Sequence, residues 1–95
     1  MKIEVSEEAK AFYDTLPEKD RRIIKEHLER LIEFPDIRGD IEQLYSPTGV
    51  TRYRLHIARR YTAFYRVYEN DHVVRVLALM TIEQAHKRYK YYLKD

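Results

Sequence analysis

Cysteine is absent from the 95 residues, which excludes a disulfide framework and a thiolate metal site and suits a reducing compartment. A metal would have to be held by histidine and carboxylate alone. The four histidines, His27, His56, His72 and His86, show neither an HExxH pattern nor any comparable ligand spacing, so no metal or other cofactor is expected. No apolar run approaches the length of a membrane span, and the opening Met1-Lys2-Ile3-Glu4-Val5 does not read as a signal peptide. The expectation is a soluble, cytoplasmic protein without a membrane partner. Proline and glycine are scarce, at three and two. Four of these five, Pro35, Gly39, Pro47 and Gly49, punctuate one stretch that reads as a loop, with Ile41 and Leu44 tucking back under a sheet. Repeats, low-complexity segments and linkers are missing too, and 11.6 kDa supports one modest core, so residues 1–95 read as a single domain.

Charge is plentiful but unevenly placed. Residues 50–95 hold ten Lys or Arg against four Asp or Glu, a balance of +6, whereas residues 1–49 hold eight against twelve, a balance of −4. The whole-chain value of +2 hides this polarity. Seven of the nine tyrosines lie in the basic half: Tyr53, Tyr61, Tyr65, Tyr68, Tyr89, Tyr91 and Tyr92. Lys and Arg displace the counterions condensed on phosphates, and aromatic rings stack on unpaired bases, so this mixture suits single-stranded RNA. It equally suits a half-exposed sheet, where Arg and Tyr bury their stems and keep polar tips wet.

The periodicity divides the chain. Lys2 to Val5 alternates as a short strand. Ser6 is placed to cap a helix, with Glu7 and Glu8 at its positive end and Ala9, Phe12, Tyr13 and Leu16 along one stripe. Pro17 ends that helix and opens a second, reaching Phe34, with Ile24, Leu28, Leu31 and Ile32 inward and Asp20, Arg21, Arg22, Lys25, Glu26, Glu29, Arg30 and Glu33 wet. From Thr51 the period becomes two, placing Arg52, Arg54 and His56 on one face and Tyr53, Leu55 and Ile57 on the other. A tight connection near Ala58–Arg60 leads to a strand from Tyr61 to Tyr68, with Tyr61, Ala63, Tyr65 and Val67 inward and Thr62, Phe64 and Arg66 outward. Asn70-Asp71 suits a hairpin turn. His72 to Met80 is an apolar, interior strand, and Thr81 caps a terminal helix. The result is an α+β fold of order β-α-α-β-β-β-α.

The segment Tyr53-Arg54-Leu55-x-Ile57-x-x-x-Tyr61-x-x-x-Tyr65-Arg66-Val67, preceded by a helical hairpin and followed by a Val-rich strand and a basic, aromatic terminus, resembles the RelE/ParE toxin superfamily over nearly the whole chain. The resemblance implies a RelE-like antiparallel sheet packed on a helical hairpin with a C-terminal helix. It also implies the toxin of a type II toxin–antitoxin pair, with a cognate antitoxin as partner in a toxin–antitoxin hetero-oligomer. Many RelE-like members cut mRNA on the ribosome and so inhibit translation, whereas ParE-like members inhibit DNA gyrase without being nucleases. A third reading, from the residues alone, is a basic RNA-binding module without activity.

Metal-independent RNA cleavage needs a base for the 2′-hydroxyl, a cation for the charge developing on phosphate and an acid for the leaving 5′-oxygen. The candidates for catalysis are Arg54, His56, Arg66, His86 and Tyr89, and those for RNA binding are Arg52, Arg59, Arg60, Lys87 and Arg88. By the resemblance, Arg54 and His56 take the places of two basic residues, often lysines, that line the RelE cleft. Tyr89 matches the terminal tyrosine. Thr62 departs from the arginine that usually follows the tyrosine matched by Tyr61, which hands charge stabilisation to Arg66 or Arg60. Against these roles, Arg54 and Arg66 are placed to pair with acids such as Glu42 or Glu69, and His86 with Lys87 and Arg88 can be a solvated helix face.

Overall fold

A computed structural model describes residues 2–33, 41–45, 51–68 and 70–88. A short first strand, β1 (Lys2–Val5), leads to α1 (Glu7–Asp14) and α2 (Glu18–Glu33). Ser6 is the N-cap expected for α1: its hydroxyl oxygen accepts from the Ala9 N–H at 3.1 Å and its proton goes to the Leu77 carbonyl at 2.7 Å. One side chain thus starts the helix and docks it on the sheet. Thr15 closes α1, its hydroxyl donating to the Phe12 carbonyl at 2.6 Å. Pro17 then supplies the first carbonyl of α2, accepting from Arg21 N–H at 3.0 Å; proline suits the start of a helix, where no N–H is needed.

The remaining elements are β2 (Ile41–Tyr45), β3 (Thr51–Ile57), β4 (Tyr61–Tyr68), β5 (Val73–Thr81) and α3 (Ile82–Arg88). They form a five-stranded sheet of order β1-β5-β4-β3-β2. It is antiparallel from β2 through β5, with β1 added in parallel to β5. The α+β architecture is as expected, and β5 is interior. Strand β2 is the addition: Ile41–Tyr45 pairs with β3 where a loop was expected. Glu and Gln have little strand propensity, so the segment's own pattern is weak, and pairing across the sheet overrides it.

Alternation on β3 and β4 places the main core where expected. Leu55, Ile57, Tyr61, Ala63 and Tyr65 join Val74, Val76 and Leu79 of β5 and Ala9, Ile24, Leu28 and Leu31 of the helices. Tyr53 stacks on Tyr65 at 5.2 Å between centroids, and Phe12 meets Tyr61 edge-on at 6.1 Å. Between Phe64 and Tyr65 the register slips: Phe64 faces Ala78 while Tyr65 faces Val76, so Leu77 is the extra residue of a bulge. Its carbonyl is the one that receives Ser6.

The opposite face corrects an expectation. Thr62 and Phe64 point away from the hairpin as alternation requires, yet both are fully buried. Phe64 belongs to a second small cluster with Ala78, Met80 and Ala85, so α3 folds back over this face. A periodicity of two assigns a side chain to a face and leaves open what covers that face. Asp20 is the second correction, because it is buried rather than wet.

Candidate functional site

The β3–β4 connection is a tight turn closed by Arg60 N–H donating to the Ile57 carbonyl at 3.1 Å. Both central residues, Ala58 and Arg59, have positive φ, 53° and 56°. That handedness fits the twist of a hairpin, but it normally calls for Asn or Gly, and a side chain with a Cβ costs about 1–2 kcal/mol per residue there. Backbone strain of this kind clusters at functional positions. Here it projects Arg59 into a recess of about 260 Å³ lined by His56, Arg59, Ile82 and His86.

Three elements build the recess. β3 supplies His56, whose Nδ1 lies 3.0 Å from the Thr62 hydroxyl of β4. Thr62 is fully buried and orients the imidazole. The turn supplies Arg59. The third wall is α3, begun by a reciprocal capping box in which Thr81 N–H donates to Gln84 Oε1 at 3.1 Å and Gln84 N–H donates to Thr81 Oγ1 at 3.2 Å. Ala85, buried against Phe64 and Met80, fixes the rotation of α3, and His86 beside it reaches the recess.

The other candidates are placed elsewhere. Arg54 is half-buried and ion-paired with its cross-strand neighbour Glu42, the pairing foreseen as its alternative. Arg52 is half-buried on the same face of β3. Arg66 lies with its guanidinium 4.8 Å above the Tyr68 ring and is the register partner of Arg75. Arg60 turns toward the hairpin, 3.6 Å from Asp20. Lys87 is exposed on α3. The side chain of Arg88, and Glu69 and Tyr89 entirely, lie outside the described residues.

Two participants escaped sequence reasoning. Ile82 forms the apolar wall of the recess, and nothing in its local pattern separates it from a core residue. Asp20 accepts from the Tyr61 hydroxyl at 2.5 Å. That contact, followed by burial and the Asp20 charge, raises the tyrosine above its ordinary value of 10.0, while Arg60 acts in the lowering direction. Among the described residues no group of three or more potential metal ligands occurs, and no helix is long and apolar enough to cross a membrane.

The other side of the sheet carries a different surface. An apolar groove of about 400 Å³ runs between the helices and the outer strand, lined by Ile3, Val5, Ala9, Tyr13, Leu28 and Leu79 among others. Val5, at 46% exposure, is the large apolar side chain left open among the described residues.

The model of the ParE toxin of type II toxin–antitoxin systems, parDE, matches residues 3–85. The chain belongs to this family. It is therefore a toxin of a type II toxin–antitoxin system within the RelE/ParE superfamily. No curated protein matches the toxin's sequence. Among solved structures, it is similar to the archaeal RelE–RelB complex from Pyrococcus horikoshii OT3, with a TM-score of 0.74 and 22% identity over 84% of this chain and 92% of that one. The isolated E. coli RelE toxin gives 0.58 and 21%, over 93% and 97%. The toxin of the intact E. coli RelBE complex gives 0.55 and 21%, over 83% and 93%. At these identities the likeness is one of fold, and it agrees with the α+β architecture.

Proposed function

We propose that this toxin is a ribosome-dependent mRNA endonuclease that inhibits translation without a metal. The observation that carries the reading is the convergence of His56, Arg59 and His86 on one recess: a base, a cation and an acid are the three groups that transesterification of RNA requires. In the tautomer whose Nδ1–H donates to Thr62, the lone pair of His56 lies on Nε2, the atom that takes the 2′-hydroxyl proton. The 2′-oxygen then bonds to the adjacent phosphorus, Arg59 stabilises the added negative charge, and the bond to the 5′-oxygen breaks as protonated His86 gives that oxygen its proton. A 2′,3′-cyclic phosphate and a 5′-hydroxyl are left.

A second reading has its own support. The family match is to ParE, and buried Thr62 stands where related cleavers usually carry arginine, so inhibition of DNA gyrase is the alternative. Induced expression with primer extension on cellular mRNA decides between them: cuts within translated codons are expected. Arrested growth with intact mRNA and altered DNA supercoiling would replace the nuclease with the gyrase inhibitor.

The partner is a cognate antitoxin, in line with the RelE–RelB assemblies among the similar structures. An amphipathic, acidic segment would satisfy both surfaces, its apolar side on the groove beside Val5 and its acids on the basic half. Folding of such a segment on binding gives a large wrapped interface.

A further inference from the structure

Asp20 is a carboxylate that the fold buries, its side chain only 10% exposed. As the third residue of α2 it occupies the position from which an acid ordinarily reaches back to the N-cap N–H. The N-cap is Pro17, which has no N–H to offer. Freed from that local bond, the two carboxylate oxygens go to the β3–β4 hairpin: Oδ2 accepts from Tyr61 at 2.5 Å and Oδ1 lies 3.6 Å from Arg60 Nη1.

Arg60 in turn touches three elements. Its guanidinium meets α2 through Asp20. Its N–H closes the strained turn on Ile57, and its carbonyl accepts from the N–H of Ile82, the first residue of α3, at 3.1 Å. This bond and the capping box set where α3 begins.

We propose that Asp20 and Arg60 form a staple that positions the recess, holding the Ala58–Arg59 turn against α2 and the start of α3 against the turn so that Arg59 and His86 face His56. Arg60 is then a positioning residue rather than a phosphate ligand. The catalytic consequence rests on the nuclease reading; the structural consequence does not.

The test is NMR of the free, full-length toxin carrying Asp20→Ala, Arg60→Ala or Arg60→Lys, with thermal melting of each. In Asp20→Ala the ring signals of His56 and His86 should move while those of His72, at the far end of the sheet, stay in place, and the Ile82 amide should exchange at least tenfold faster. Arg60→Ala should give smaller changes of the same sign, and Arg60→Lys should restore the wild-type signals. With RNA on the ribosome, the cleavage step should slow about tenfold at unchanged ribosome affinity. A lower melting temperature with unmoved His56 and His86 signals and unchanged Ile82 exchange would overturn the proposal, leaving Asp20 as a buried acid and nothing more. Should Asp20→Ala fail to fold, Arg60→Ala carries the same two outcomes, because that side chain is 67% exposed. Wild-type toxin that cuts no RNA would remove the nuclease reading while the NMR result still decides the staple.

Discussion

The two faces of the sheet are built to different standards. On the hairpin side, residues from α1, α2 and three strands close into one continuous core that includes the fully buried Ile24, Ile57, Tyr65, Val74 and Val76. On the other side, among the described residues, Phe64, Ala78, Met80 and Ala85 form a small cluster, covered by α3 and bordered by His56, Arg59 and His86. Stability is concentrated on the first face. Titratable side chains and the strained Ala58–Arg59 turn border the second, as expected where chemistry needs water access.

The sharpest way to break this comparison is to remove the recess histidines. His56→Ala and His86→Gln should each reduce cleavage about 100- to 10,000-fold, the range for losing a general acid or base, while stability changes by no more than about 0.5 kcal/mol for exposed His86 and falls by about 1–3 kcal/mol for His56, the hydrogen-bond partner of the buried Thr62 hydroxyl. Single-turnover cleavage on ribosomes and thermal melting measure the two quantities. Activity surviving both substitutions would move the chemistry away from the recess, toward Arg54, Arg66 or Tyr89.

Matched deletions compare the cores directly. Ile24→Ala, in the middle of the hairpin-side core, should cost about 3–4 kcal/mol within the 2–5 kcal/mol seen for such truncations, lowering the melting temperature by at least about 12 °C for a chain this small. Met80→Ala should cost nearer 2 kcal/mol, because a flexible side chain at the edge of a small cluster leaves a site able to relax. Equal costs in denaturant titrations would mean that the second cluster is as rigid as the first.

The hairpin side was also the legible one. Ser6, Pro17 and the apolar stripes marked the helices, and strict alternation from Tyr53 to Val67 assigned the inward tyrosines, because local chemistry and a single buried face agree there. The second face was not legible for a physical reason. Thr62 and Phe64 were assigned to the correct side, but their burial depends on α3 folding back, a tertiary event that periodicity does not encode. The recess joins residues 56, 59, 82 and 86 from three elements; the sequence nominated three of them one at a time, and only the fold brings them together. Asp20 was misread as solvent-facing because its partner Tyr61 lies 41 positions away. Strand β2 was missed because Glu42 and Gln43 carry no strand signal of their own.

A smaller effect sharpens the contrast between stability and function at the turn. Arg59→Gly relieves a positive φ of 56° and should stabilise the fold by about 1 kcal/mol while depriving the recess of its cation, so that melting temperature rises as cleavage falls. Ala58→Gly relieves the neighbouring residue and should stabilise by a similar amount with activity retained. If both glycine variants were less stable than wild type, the turn would not be strained, and its geometry would carry no functional meaning.

The smallest effect is silent at neutral pH. Tyr61 is held above its ordinary value of 10.0, chiefly by donating its proton to Asp20 and then by burial. A tyrosine whose folded pKa lies above its unfolded one contributes stability in full below the unfolded value, and that contribution is lost as pH climbs through the folded value. Ionised Tyr61 would both lose its proton to share and face the Asp20 carboxylate across the same buried contact. Denaturation midpoints should therefore be level around pH 7 to 9 and fall above about pH 10, with the fall made shallower by Tyr61→Phe, which has no proton to lose. The variant keeps the apolar ring contact with Phe12 but leaves Asp20 without its closest donor, so it starts from a lower plateau. An alkaline limb as steep in Tyr61→Phe as in wild type would show that other tyrosines or lysines set it, and that the bond between the hairpin face and the β3–β4 turn contributes little to the fold.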